Sequence, residues 1–330
     1  MKVPLMIRWH RPLLLMSATM AVLAIISLGG LLLDQRTLEG MPIWAKPMKF
    51  TVSLAIYGLT WAWLLSLRRR APRWGWWLGT VLAVASVVEV VVIISQVVRG
   101  RRSHFNVSTA LDASLYSIMA TTIVVLMVAN LAAAVLVLLE RQADPAATWA
   151  IRIGLVISAA GMALAYLMTP PTAAQLADVA TTAIGAHSVG VPDGGPGLPL
   201  LGWSTTGGDL RIPHFVGMHA LQVIPLLALA SQWIRSQAVR LRLVFTAGAG
   251  YAGLVALVTW QALRGQPLLR PDALTLGATA LLAAGVATAA LLSLLSRRSP
   301  ATRATAADTE PAATVTPVAA AQAEPATLEA

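Results

Sequence analysis

The sequence predicts an all-α integral membrane helical bundle of about eight transmembrane helices, and three observations predict it. Hydrophobic residues make up 57% of the chain and charged residues 12%, with a mean hydropathy of +0.72, far from the balance of a water-soluble domain. Apolar runs recur that are long enough to cross a hydrocarbon core, which takes about 20 helical residues. Arg and Lys collect at alternate ends of those runs, the bias expected of cytoplasmic loops.

Lys2, Arg8 and Arg11 precede the first run, 12 to 33. It is longer than a signal-peptide core and lacks a small-residue cleavage site, so it is read as a membrane span. The second and third runs, 50 to 67 and 75 to 98, are joined by Arg68, Arg69, Arg70 and Arg73. The fourth, 104 to 139, exceeds one straight crossing and is expected to tilt or to project beyond the bilayer. After the fifth run, 149 to 169, comes a long Gly- and Pro-rich stretch, 170 to 212. Its first part, Gln175 to Ile184, suits a short surface helix, and its punctuation by Gly190, Pro192, Gly194, Gly195, Pro196 and Gly197 demands specific turns. A loop of this length reads as an ordered cap. Runs at 214 to 234, 243 to 263 and 273 to 296 complete a transmembrane domain over 1–298, and the Pro, Ala, Thr and Glu mixture of 299–330 reads as a disordered cytoplasmic tail.

With both termini inside, Arg141, Arg152, Arg235, Arg240, Arg242, Arg297, Arg298 and Arg303 join the N-terminal and Arg68–Arg73 groups on the cytoplasmic side, a majority of the 24 cationic residues. The net charge of +10 is then a topology signal that calls for no nucleic acid, and Arg68 to Arg70 also suit anionic headgroups. The chain has no cysteine, which excludes disulfides, thiolate metal ligands and thiol nucleophiles.

Three of the four phenylalanines close a repeated pattern: Lys46-Pro-Met-Lys49-Phe50, Arg101-Arg-Ser-His104-Phe105 and Arg211-Ile-Pro-His214-Phe215. The interval from Phe105 to Phe215 is twice that from Phe50 to Phe105, as expected of two-helix repeats starting at helices 2, 4 and 6. This topology puts all three motifs at the outer surface. Polar residues follow every four positions: Lys49, Ser53 and Tyr57; His104, Ser108 and Asp112; His214, Met218 and Gln222. The third span carries Ser86, Glu89 and Gln96 on one face, and a rise of ~1.5 Å per residue puts Glu89 at a depth similar to Asp112, as a neighbour. An acidic group so placed costs about 2.5 to 3.5 kcal/mol on insertion scales and marks a functional position by default. The alternative for these polar positions is interhelical hydrogen bonding.

Lys46, Lys49, Arg101, Arg102 and Arg211 ring the mouth of such a cavity near three helix N-termini and read as an anion trap; anchoring to lipid phosphates is the competing reading. His104, His187, His214 and His219 all fall on the outer side, and His104, His214 and His219 are the candidates for a metal or haem. No zinc-binding motif frames them. Ser108, His104 and Asp112 make up a nucleophile, base and acid set, but no strand-turn-helix elbow presents the serine, so a hydrolase is disfavoured.

Trp44-Ala-Lys46-Pro-Met-Lys49-Phe50, Arg99-Gly-Arg-Arg-Ser-His104-Phe105-Asn106 and Gly208-Asp-Leu-Arg211-Ile-Pro-His214-Phe215-Val-Gly-Met-His219-Ala-Leu-Gln222 resemble signatures of an uncharacterised bacterial multi-pass membrane protein family, over most of residues 40 to 235. The resemblance implies a location in the cell inner membrane and carries no activity. Haem A synthases and the membrane subunits of polysulfide-reductase-type complexes have a comparable number of spans, but their motifs do not map onto this chain.

The leading expectation is an outward-facing site that binds an anionic or small polar ligand, for transport or sensing, built from Lys46, Lys49, Glu89, Arg101, His104, Asp112, Arg211, His214, His219 and Gln222. The second is a membrane oxidoreductase or cofactor-handling protein holding haem, quinone or metal on the outer histidines. The third is a ligand-free structural or assembly factor. Whether the protein is an enzyme stays open at this stage.

Overall fold

A computed structural model describes residues 9–296; the expected tail, 299–330, lies outside the described residues. Among the described residues, eight helices are long and apolar enough to cross a membrane. In chain order the helices are α1 (Arg11–Leu33), α2 (Ala45–Ser66), α3 (Pro72–Val98), α4 (Ala110–Leu138), α5 (Pro145–Ala163), the short α6 (Ala173–Ala177), α7 (Arg211–Ala230), α8 (Gln237–Leu263) and α9 (Ala273–Leu295). Two small antiparallel ribbons, β1 (Thr37–Leu38) with β2 (Met41–Pro42) and β3 (Ser188–Val189) with β4 (Gly208–Asp209), belong to the loops.

The helices sort into two halves. In one, α1 packs on α2 and α3 on α4 around Leu13, Met20, Trp61, Leu64 and Leu82; in the other, α5, α7 and α8 share Ala150, Ile157, Ala220, Ile224 and Val244. Small residues set the closest approach, that of α5 and α7. A Cβ at Gly161 would lie 2.4 Å from the carbonyl carbon of Gly217, and one at Gly217 2.6 Å from Gly161 Cα, so neither position has room for a side chain. Helix α9 packs on α8 through Gly250 and Gly253 and turns most of its Leu residues outward, as lipid contact permits. Thr60 and Gln222, 3.2 Å apart, join α2 to α7, and Tyr57 and Asn130, 2.6 Å apart, join α2 to α4.

Loops 34–44, 99–109, 164–210 and 264–272 meet at one end of the bundle as a cap. Val107 N donates to Thr182 O (3.1 Å), Ile184 N to Phe105 O (3.1 Å), Leu210 N to His187 O (2.9 Å) and Arg102 to Thr182 O (2.8 Å). The opposite end carries the arginine-rich loops. There Glu140 accepts from the backbone of Arg69 and Arg70, Arg240 pairs with Asp144 at 2.9 Å, and His10 caps α1 while binding Trp76 O at 2.8 Å.

Two local expectations are corrected. The surface helix is limited to Ala173–Ala177, because Asp178 turns the chain back on itself and accepts from Ala180 N. The fourth helix begins at Ala110, not near 104. Phe105 is left-handed (φ 58°), Asn106 bridges to Ala183 in the cap, and the Thr109 hydroxyl accepts from Asp112 N as an N-cap. His104 and Ser108 therefore lie in the loop, and the stripe expected of His104, Ser108 and Asp112 is not a helix face.

Candidate functional site

Three sequence segments meet under the cap. Lys46 and Lys49 sit in the first turns of α2, His104 in the α3–α4 loop and Arg211 at the first position of α7. Arg211 is held by Asp209 (2.9 and 2.5 Å) and by Gly202 O (2.5 Å), while Asp209 also accepts from Ser204 N at 2.8 Å. Lys49 Nζ donates to Leu201 O at 2.6 Å. Both cations thus fasten the cap to the helix ends.

Lys46 differs. Among the described residues its ammonium has no hydrogen bond or ion pair, although it interacts electrostatically with Glu39, Lys49, Arg211, Glu89, His104 and His187. Below it on α3, Glu89 is 2% exposed and neither carboxylate oxygen has a hydrogen-bond partner. Lys46 is the charged group that acts on Glu89, yet the two do not come within the 4.0 Å of an ion pair. Phe50 is packed against the His104 ring, with centroids 5.6 Å apart.

His104 binds Ser103 Oγ at 3.1 Å and lies edge-on to Phe105. Burial holds its pKa well below the usual imidazole value, and the charges of Lys46 and His187 push the same way. His187 donates to Asp193 at 2.7 Å and packs against Phe105 in a tilted arrangement, with centroids 4.9 Å apart. Its pKa is lowered by burial, which outweighs the opposing pull of the Asp193 hydrogen bond. Asp193, bonded also by the backbone of His187 and Ser188, stays well below the usual carboxylate range despite its burial. A recess of about 40 Å³ lies among Glu39, His187, Asp193, Gly194, Gly202 and Arg211.

The remaining expected residues fall elsewhere. Asp112 is 0% exposed and fully engaged: it pairs with Arg99 at 2.7 Å, and Gln96, Ser108 and Thr109 donate to it at 3.0, 3.0 and 2.8 Å. It lies in the first turn of α4, whereas Glu89 lies ~14 Å in from the end of α3 at a rise of 1.5 Å per residue. The expectation that they share a depth fails because α4 starts later than the hydropathy suggested. Arg101 is exposed on the cap surface. His214 donates to Gly161 O at 2.8 Å, toward α5. His219 lies against Phe215 (4.3 Å) and bonds Gln222, on the side facing α2. The candidate ligands His104, His214 and His219 thus point to different neighbours, and among the described residues no three His, Asp or Glu side chains are grouped to hold a metal ion.

Sequence reasoning missed Glu39, Asp193 and Asp209, which pair with Arg102, His187 and Arg211, and Arg99, which pairs with Asp112. The dipeptide Gly208-Asp209 two positions before Arg211 was a usable signal, since an Asx side chain commonly bonds the backbone two residues on, as Asp209 does with Arg211 N at 3.0 Å. No protein-family model, no curated protein and no solved structure matches this chain.

Proposed function

We propose that the protein resides in a bacterial inner membrane with both termini in the cytoplasm, and that it captures a small anionic or polar ligand at Lys46 from the extracytoplasmic side, for transport or sensing. One observation carries this reading: among the described residues the half-buried Lys46 side chain has no hydrogen bond or ion pair, while its neighbours Lys49 and Arg211 are already engaged. A basic group partly withdrawn from water without a counter-group is costly to keep charged, and a ligand carboxylate or phosphate would supply one. The arginine-rich opposite face supports the orientation.

Purified protein in nanodiscs is expected to gain thermal stability in acetate or phosphate, as any ligand of the native state stabilises it. Lys46→Met is expected to lose that gain. An absence of any shift in the wild type would overturn the reading. Because the chain has no cysteine, orientation is tested on a clean background. A thiol placed at fully exposed Val179 in the cap should react with an impermeant maleimide on intact spheroplasts, and one at Arg70 should not.

A further inference from the structure

Resting on the capture of a ligand at Lys46, we infer that the ligand is dipolar, a small zwitterion of the amino-acid type, with its negative group on Lys46 and its positive, hydrogen-bond-donating group on Glu89.

The argument starts from what each pole lacks. Glu89 is buried on α3 with both oxygens unpartnered, whereas most buried side-chain polar atoms find a hydrogen bond. Lys46 is a basic side chain whose field reaches it, yet among the described residues the two form no ion pair. An acidic and a basic side chain that could pair with each other do not. Neighbouring polar side chains do not close the gap: Ser86 spends its hydroxyl on Leu82 O, and Gln96 is turned to Asp112.

A simple anion would satisfy Lys46 and leave Glu89 as it is. A simple cation would do the reverse and meet the repulsion of Lys46, Lys49 and Arg211. A molecule with a carboxylate at one end and an ammonium at the other satisfies both, and its net neutrality suits a site sunk into the membrane. Phe50 and the neutral His104 ring offer an apolar wall beside it. The occupied sites of the same region make the contrast: Asp112, Asp209 and Asp193 each have their partners in the protein and have nothing left to offer a ligand.

The test is a titration of the full chain in nanodiscs with glycine and, separately, with acetate, read by thermal shift. Glycine is expected to bind the wild type about tenfold or more tightly than acetate. Glu89→Gln, nearly the same shape, should erase that preference by weakening glycine about tenfold while leaving acetate within about twofold, which also certifies that the variant is folded. Lys46→Met should lose both. Equal binding of the two probes to the wild type, or glycine binding untouched by Glu89→Gln, overturns the dipolar assignment and leaves the anion reading standing. Binding of neither probe overturns the dipolar assignment, and the anion reading falls with it when phosphate gives no shift either.

Discussion

Asp112 and Glu89 are the two acidic side chains carried by the described membrane helices, and the fold treats them in opposite ways. Around Asp112, four side chains from α3, the following loop and the start of α4 converge on one carboxylate. Around Glu89, no donor among the described residues comes within hydrogen-bond reach. Both positions are expensive to maintain in a bilayer, so the difference teaches which one the structure itself uses. Asp112 closes the α3–α4 hairpin and caps α4. Glu89 stabilises nothing visible within the protein, which is the behaviour of a group kept for something the protein meets later.

The largest effect that separates the two is on stability. Asp112→Ala strands Arg99 and Gln96 and removes the first-turn acid of α4, and it is expected to cost about 3 kcal/mol. The figure sits at the low end for a buried pair because the Arg99 side chain is 33% exposed and recovers water. Unfolding in mixed micelles measures it, and a loss below about 1 kcal/mol would place Asp112 on a par with an ordinary exposed ion pair.

Glu89→Leu should move the same measurement the other way. An unsatisfied buried polar group costs about 1–3 kcal/mol, and an apolar side chain of similar size recovers part of that, so a gain of about 1 kcal/mol is expected. The preference for glycine over acetate should disappear in the same variant, the trade common where a site keeps a destabilising residue for its function. A loss of stability instead would mean that Glu89 has a partner within the bundle and belongs with Asp112.

The eight spans were legible because an uninterrupted apolar run of helical length has few other uses, and the burial of Ser86, Glu89 and Gln96 on one face of α3 followed from helical spacing. The start of α4 was not. Asn106, Ser108, Thr109 and Asp112 are interleaved with the apolar Phe105, Val107 and Leu111, and of these the Thr109 and Asp112 pair marks where hydrogen bonding turns helical. The site was half legible for the same reason. Lys46, His104 and Arg211 could be drawn together because their motifs share one end of the bundle. Which cation stays free depends on Asp209, on the carbonyls of Leu201 and Gly202, and on a loop fold that no periodicity encodes.

The smallest expected effect concerns the cap above Glu89, and it sharpens the contrast because the Asp112 cluster should not share it. His104 faces Lys46 and His187, and His187 faces Asp193, Arg211 and Lys46; burial lowers the pKa of both rings in the folded state. A histidine so shifted binds fewer protons folded than unfolded, so its contribution is intact above the unfolded value of about 6.5 and declines as pH falls below it. Asp193 keeps its charge through that window, since its own pKa is lowered from 3.8, and its contribution is lost only as pH falls toward and below that value. Hydrogen exchange at residues 183–209, corrected for intrinsic rates, should therefore accelerate modestly between pH 7 and pH 5, while amides at the start of α4 stay protected. His104→Gln should flatten the response, because an amide takes up no proton beside Lys46. Equal acceleration in both regions would mean that acid loosens the whole bundle and that the histidines have no local part in it.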